Sequence, residues 1–489
     1  MNALKNLIGK DWLDGEGAPL STTSPANGET IASGNMASTE QAIAAMAVAH
    51  KAFEPWAATS YEDRKAIIER YAEIAKERKD EMAELIARET GKALWDAATE
   101  AGGIAGKAGL AIASYEDRTP TKEKDNGALT LRIAHKPHGV MVVIGPFNFP
   151  GHLPNGQIIP SLLAGNTVVF KPSEQTPAVG QKMAEWWQEA GLPEGCINVV
   201  HGAREVAGAL IGDPRTAGVL FTGGVQAGTA IHKQLAGRPD VILALELGGN
   251  NPLIAWDVQN AEDAAQIIVR SAYITTGQRC TCARRLIVKK GEEGDRIVKA
   301  VADLIPRLTI GDPLGDPAPF MGPLVSADSA RRALAAQDEL IAAGAEPVVK
   351  MAQHEAGDAF VTPGLLDVSG MAKDPDEEIF GPLLKVIRVD SFEEAIVRAN
   401  NTKFGLAAAL LSDDAALWDR FARDIRAGIV NWNRQTTGAS GAMPFGGPGL
   451  SGNHRPAGSY AADFVAWPMA SMMAEGPLKD DQAVPGLKS

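Results

Sequence analysis

Between residues 139 and 247 the chain alternates short, almost uninterrupted apolar runs with segments that favour helix, and few folds tolerate that texture. The runs are GVMVVIG (139–145), NTVVF (166–170), INVV (197–200), GVLF (218–221) and VILALEL (241–247), with helix formers such as PAVGQKMAEWWQEAG between them. A strand that is apolar at successive positions must be covered on both faces, and strand–helix–strand order supplies that cover through crossover helices. The expected product is a parallel sheet, and nucleotides bind at the carboxyl ends of such strands.

A second alternating region runs from about 249 to 445, with NPLIAW, RRLIVKK, PGLLDV, PLLKVIRV, LAAALLS and AGIVNWN as candidate strands. It reads as a second α/β domain. Residues 38 to 112 are expected to be mainly helical, with Ser38 as N-cap and Glu40 in the first turn, and their charged faces read as solvated. The segment ALTLRIAHKPHG (128–139) alternates like an exposed strand, whereas the tail after about 455 reads as irregular, being rich in Pro, Met and Gly. Both could form an arm that pairs with another subunit. The expected division is 1–118 with 140–247, then 248–445, and an arm and tail of 119–139 and 455–489.

At 489 residues the chain exceeds what one hydrophobic core supports. A formal net charge of -13 works against nucleic acid and anionic membrane surfaces as partners. The first residues lack a signal-like apolar core and no stretch of 18 apolar residues follows, so a cytoplasmic location is expected. Three cysteines, Cys196, Cys280 and Cys282, make no disulfide framework, and without a second Cys pair or His spacing no metal is expected.

Five stretches carry residues that could do chemistry. In ALELGGNNP (244–252) Glu246 ends an apolar strand and two glycines follow, which is either a solvated turn or a carboxylate facing a cleft. In TTGQRCTCARRL (275–286) Cys280 and Cys282 lie among Arg279, Arg284 and Arg285, whose positive potential would favour a thiolate. A buried, inert thiol is the plainer reading, but TTGQRC is polar and suits a loop. IGPFNFPGHLPNG (144–156) sets the amide of Asn148 at a sheet's carboxyl edge, where it could stabilise an oxyanion. VVFKPSEQTP (168–177) offers Lys171 and Glu174 to a ribose, or a plain surface turn. FTGGVQAG (221–228) could take a pyrophosphate on backbone N–H groups, although it is not G-x-G-x-x-G.

Taken in order, GPFNFP, KPSEQTP, FTGG…G, ELGGNNP, GQRC, EEIFGPLL (377–384) and PFGG…SG (444–452) resemble the signature blocks of the NAD(P)-dependent aldehyde dehydrogenase superfamily over nearly the whole chain. The resemblance implies an α/β fold: a Rossmann-like dinucleotide-binding domain, a second α/β catalytic domain and a small β oligomerisation arm. It also implies an oxidoreductase that uses NAD and assembles as a homodimer or homotetramer. By position it makes Cys280, three after Gly277, the nucleophile, Glu246 the general base and Asn148 the oxyanion donor. Lys171 and Glu174 would hold the adenosine ribose, and Gly223, Gly224 and Gly228 would lie against the pyrophosphate. Glu378 and Phe380 would contact the nicotinamide end. One position departs from the family pattern: Gly224 stands where most members have Ser, so a hydroxyl contact to phosphate is absent. Glu246 further implies hydrolysis of the acyl-enzyme rather than transfer to coenzyme A, and Glu174 implies NAD over NADP.

Finer features, among them NFPGHLPNG, CTCARR and NHRP, resemble a subgroup whose aldehyde carries two carboxylates. Candidates to hold them are Arg279, Arg285, Arg434, His454 and Arg455, each with an ordinary ion pair as the alternative. Other readings of the chain are a dehydrogenase of glutamate or succinate semialdehyde, and a thiol acyl-transfer enzyme that needs no cofactor.

Overall fold

Two seven-stranded sheets form the frame of the computed structural model, which describes residues 2–372, 375–477 and 486. Across the first sheet the order is Ile242–Glu246, Thr216–Thr222, Val140–Ile144, Thr167–Lys171, Ile197–Val199, Asn6–Ile8 and Asp11–Leu13. The five strands from 140 onward are parallel, and Val140–Ile144 and Thr167–Lys171 are buried at every position, as their unbroken apolar runs require. The chain steps outward from 140 to 167 to 197, then returns to the other flank at 216 and 242. Strand order therefore reverses beside Val140–Ile144, which opens the crevice where open α/β sheets take their ligands.

The second sheet runs Glu346–Val349, Gly364–Asp367, Leu383–Val389, Ala283–Lys289, Asn251–Ala255, Ala407–Leu411 and Ile429–Trp432, parallel except for its first strand. Only four residues, Leu247 to Asn250, separate the carboxyl end of Ile242–Glu246 in one sheet from the start of Asn251–Ala255 in the other. The functional groups gather at this junction.

Helices Thr39–Ala58, Tyr61–Glu77, Lys79–Thr90 and Leu94–Arg118 fill the expected helical stretch, and Ser38 caps the first with Gln41 completing the reciprocal bond. Leu94–Arg118 packs on His152–Ala164, the helix that follows Asn148.

The first 37 residues contribute Asn6–Ile8 and Asp11–Leu13 as an antiparallel edge of the first sheet and three more strands to a small sheet of their own. Strands of three residues are too short to show alternation. One expectation needs correction: the tail is not irregular throughout. Ala466–Met473 is an eight-residue strand paired antiparallel along Leu129–Pro137, which also pairs with Lys122–Asn126. Its Pro468 and methionines disguised a strand held by its partner. Of the expected tail, residues 478–485 and 487–489 lie outside the described residues. Among the described residues no helix is long and apolar enough to cross a membrane, and no three His, Cys, Asp or Glu side chains are grouped to hold a metal ion.

Candidate active site

Helix Ala261–Tyr273 runs into a turn in which Thr275 (φ 55°), Thr276 (φ 54°) and Gly277 (φ 70°) are all left-handed. For β-branched threonines this backbone costs roughly 1–3 kcal/mol each, so the surroundings must impose it. They do so from several sides. Asp96 accepts hydrogen bonds from the Thr275 hydroxyl at 2.5 Å and from the Arg279 guanidinium at 2.6 Å; Arg279 Nε also donates to Thr275 Oγ1 at 2.8 Å. Thr276 Oγ1 donates to the Gly322 carbonyl at 2.8 Å. A Cβ on Gly277 would stand 2.1 Å from the Gly381 carbonyl, so this turn needs glycine for closeness as well as for φ.

The turn presents Cys280. Asn251 Nδ2 donates to the carbonyls of both Cys280 (2.7 Å) and Cys282 (2.8 Å), pinning the bend that leads into Ala283–Lys289. Cys282 is fully buried, whereas the Cys280 side chain is partly exposed. Cys280 also packs, with Phe445, against Leu406, Ala407 and Ile429, an apolar lining that its polar sequence neighbours do not reveal.

That lining reverses the expected electrostatics. Burial first, then the Glu378 and Glu246 carboxyls, push the Cys280 thiol up to about 12, while Arg284 works toward the thiolate. Arg279 is committed to Asp96. Arg285 is buried and donates to the carbonyls of Asn250, Arg398 and Ala399. Arg279 and Arg285 are thus both engaged by protein groups in this structure. Arg434, His454 and Arg455 are exposed and have no ion-pair partner among the described residues. The charge of Arg455 bears on His138, beside the arm strand Leu129–Pro137.

Asn148 follows the central strand of the first sheet and is buried. Its Nδ2 donates to the Gln278 carbonyl at 2.8 Å, two residues before Cys280, which leaves its second amide hydrogen free for a ligand. Its own carbonyl accepts from Lys92 Nζ at 2.9 Å. Lys92 pairs with Glu100 at 2.5 Å, both side chains being wholly inaccessible, and its ammonium lies 3.6 Å from the Phe149 ring centre. Glu100 in turn accepts from the N–H groups of Gly151 (3.0 Å) and His152 (3.2 Å). Sequence reading missed this support, as it missed Asp96: Asp96 and Glu100 stand at i and i+4 on one face of a helix that read as solvated, and Lys92 lies two residues before its start. Their alignment with the buried Ala97, Ala101, Ile104 and Ala108 was the available signal.

Glu246 closes its strand facing Cys280's side of the junction. Its carbonyl accepts from Gly223 N (3.0 Å) and its Oε1 from Ala457 N (3.1 Å), while Oε2 is buried without a partner. Burial raises its carboxyl well above the ordinary range. A desolvated carboxyl with one oxygen unengaged, beside a thiol, is suited to proton transfer.

The crevice along the first sheet has features that fit a dinucleotide. Helix Val225–Gln234 starts at Gly224 with no side-chain cap, and a Cβ on Gly224 would meet open space, so its free N–H groups face an accessible volume suited to pyrophosphate. Gly223 and Gly228 are closed instead against Phe221 and Leu247, and act through close packing. Lys171 Nζ is buried and donates to the carbonyls of Pro172 (2.9 Å) and Gly202 (2.7 Å), and it meets Glu174 at 3.4 Å, so this pair does come together at a strand end. Glu378 lies so close to Gly248 that a Cβ there would touch its Oε2 at 1.7 Å; its Oε1 has no hydrogen bond, with Arg284 3.8 Å away, and its carboxyl is pushed up to about 7 by burial. Phe380 meets Phe147 edge-on, ring centres 5.8 Å apart.

Comparison with known proteins agrees over this whole frame. Residues 12–467 match the model of the aldehyde dehydrogenase family. The chain is 52% identical over 459 residues to N-succinylglutamate 5-semialdehyde dehydrogenase 1 of Caulobacter vibrioides, covering 94% of this chain and 97% of that protein. It is 50% identical over 481 residues to N-succinylglutamate 5-semialdehyde dehydrogenase of Chromohalobacter salexigens, covering 98% of each. Among solved structures, 1-pyrroline-5-carboxylate dehydrogenase from Thermus with bound NAD superposes with a TM-score of 0.90 at 29% identity, over 97% of this chain and 93% of that one. NADP-dependent glyceraldehyde-3-phosphate dehydrogenase from Bacillus halodurans, complexed with NADP, gives 0.89 at 28% identity, over 97% and 100%.

Proposed function

Because the chain belongs to the aldehyde dehydrogenase family, we propose that it oxidises N-succinyl-L-glutamate 5-semialdehyde to N-succinyl-L-glutamate with NAD, a step of arginine catabolism by the succinyltransferase route. The observation that carries this reading is identity of 50% and 52%, over almost the full length of both chains, to N-succinylglutamate 5-semialdehyde dehydrogenases.

In this reading the Cys280 thiol gives its proton to solvent, its sulfur bonds to the aldehyde carbon, and the carbonyl electron pair becomes an alkoxide received by the free amide hydrogen of Asn148. Loss of one such donor costs about 2.7–4 kcal/mol in enzymes where it has been removed. NAD held in the crevice would supply a hydride acceptor for this carbon, which would leave a thioester on Cys280. Glu246 takes a proton from the water that adds to this thioester; the C–S bond breaks, the carboxylate leaves and the sulfur is restored. Glu246 must itself be ionised to act, so turnover rises with pH. Lys171 with Glu174 would hold the adenosine ribose, the open helix start at Gly224 the pyrophosphate, and Glu378 with Phe380 the nicotinamide end. A carboxylate at the ribose accepts hydroxyl hydrogen bonds and repels a 2′-phosphate, which favours NAD over NADP.

Assembly as a homodimer or homotetramer is supported by the sheet of Lys122–Asn126, Leu129–Pro137 and Ala466–Met473, which leaves Ile133, Trp467 and Met472 exposed. The three unpaired cysteines suit a cytoplasmic setting.

The test is NADH formation by the purified protein with N-succinylglutamate 5-semialdehyde, beside glutamate and succinate semialdehydes, and beside Cys280→Ala. Turnover that depends on Cys280 and is highest on the succinylated aldehyde is expected. Better turnover on another semialdehyde would overturn the substrate, and thioester cleavage without NAD would overturn the reaction.

A further inference from the structure

Three cations surround His152 at the start of the helix that follows Asn148: Lys107, Lys92 and Arg279. Two are neutralised locally, Lys92 by Glu100 and Arg279 by Asp96. Lys107 is not. Among the described residues its ammonium has no carboxylate and no hydrogen-bond acceptor. Its stem crosses Gly156, where a Cβ would stand 3.3 Å from Lys107 Cε and 3.2 Å from Nζ, and Nζ lies 3.8 Å from the corresponding point on Gly441. One turn earlier on the same helix, a Cβ on Gly103 would stand 2.6 Å from His152 Nδ1, so glycine is what admits the imidazole there.

Gly156 and Gly441, neither of which carries a side chain, thus flank one unpaired ammonium, and Gly103 makes room for His152 beside it. Keeping an uncompensated charge in such a place is costly, and burial pushes the Lys107 pKa down to about 8. A lysine tolerated there without a protein partner calls for an anion from elsewhere.

The ammonium packs on the helix that leads away from the reacting centre. Asn148, Phe149 and His152 follow one another along the loop and first turn, and Gly156 lies one helical turn further, about 6 Å past His152. With Lys92, Arg279 and Arg285 committed to protein groups, Lys107 is a cation on this path without a partner among the described residues. We propose that the Lys107 ammonium receives the substrate carboxylate remote from the aldehyde, and so selects long dicarboxylic semialdehydes over short or uncharged ones. This rests on the dianionic substrate proposed above.

The experiment compares kcat/KM for N-succinylglutamate 5-semialdehyde with kcat/KM for hexanal, in the parent and in Lys107→Met and Lys107→Arg. Substitution by Met removes a charge-assisted hydrogen bond to the dianion and should lower this ratio roughly 10- to 100-fold, chiefly through KM, and Arg should restore most of it. Lys107→Met should melt no lower than the parent, since it removes an unpaired, partly buried charge. If it fails to fold, Lys107→Gln serves for the same ratio. A ratio unchanged by removal of the charge, or a parallel rise of KM for both aldehydes, would overturn the proposal. Were the parent to ignore the succinylated aldehyde yet oxidise succinate semialdehyde, the substrate reading would fail alone, and the ratio read with that carboxylated aldehyde would still decide the role of Lys107.

Discussion

Lys92→Met tests whether the buried ion pair beneath Asn148 supports both the fold and the oxyanion donor. The parent places Lys92 and Glu100 at 2.5 Å with no exposure of either side chain. Removing one partner of such a pair strands the other charge, at about 3–5 kcal/mol. Glu100 keeps the N–H groups of Gly151 and His152, which favours the lower end, about 3 kcal/mol. At roughly 2 °C per kcal/mol for large domains, Tm falls by about 6 °C. The Asn148 carbonyl loses its donor in the same step, and its loop is then held to the nucleophile turn through Gln278 alone. Displacement of a positioned group by even 1 Å costs up to about 100-fold, so kcat should fall between tenfold and 100-fold. Adding Glu100→Gln removes the stranded charge, and the double variant should recover roughly 2 kcal/mol relative to the sum of the single effects. Thermal unfolding and steady-state kinetics on all four proteins give the full cycle. A Lys92→Met protein that melts within about a degree of the parent, or a double variant no better than the sum, would refute the reasoning.

Glu246→Gln should release about one NADH per site in a rapid burst and then stall as acyl-enzyme, with kcat down by roughly 10²–10⁴; steady turnover at the parental rate would remove Glu246 as the base. Alkylation of Cys280 by iodoacetamide, corrected with Cys280→Ala, should climb about tenfold per pH unit from pH 7 to 10, because burial holds the thiol up near 12. A plateau near pH 8 would contradict that. Glu89, buried and bonded to Thr22 and to the N–H groups of Ala178 and Val179, is pushed up to about 7. The unfolded chain ionises this carboxyl near its ordinary value of about 4.3, so the folded state alone holds the proton between there and about 7, and stability falls as pH rises through that window by about 1.4 kcal/mol per unit. Glu378 acts in the same direction. Denaturation at pH 5 and pH 7 should show a shallower fall for Glu89→Gln, and an identical fall would count against the burial argument.

How much of the fold could be read in advance follows the length and apolarity of each element. Continuous apolar runs announced the parallel strands of the two large sheets, because burial on both faces leaves no polar position to confuse the pattern. Strands of three residues near the amino end, and Ala466–Met473 with its proline and methionines, are specified by the neighbours they pair with, and those neighbours are distant in sequence. The eight-residue tail strand forms along Leu129–Pro137, more than 300 positions away, so no local window contains its cause.

At the site the same division separates residue types from charge. Cys280, Glu246 and Asn148 could be singled out because glycine, proline and strand ends mark where a side chain must face a crevice. Electrostatics could not be read that way, since adjacency in sequence placed three arginines near the thiol while the fold gave each a separate task. Arg279 serves a strained turn, Arg285 caps carbonyls, and Arg284 favours the thiolate, against two carboxyls and the cost of burial. The consequence is chemical. With Cys280 pushed up to about 12 and Glu246 raised by desolvation, burial favours the neutral forms of both the nucleophile and the base in the resting site. A thiol in this state reacts slowly with oxidants and alkylating agents, which attack thiolates, so the burial that suppresses the nucleophile also protects it until a ligand changes the charge beside it.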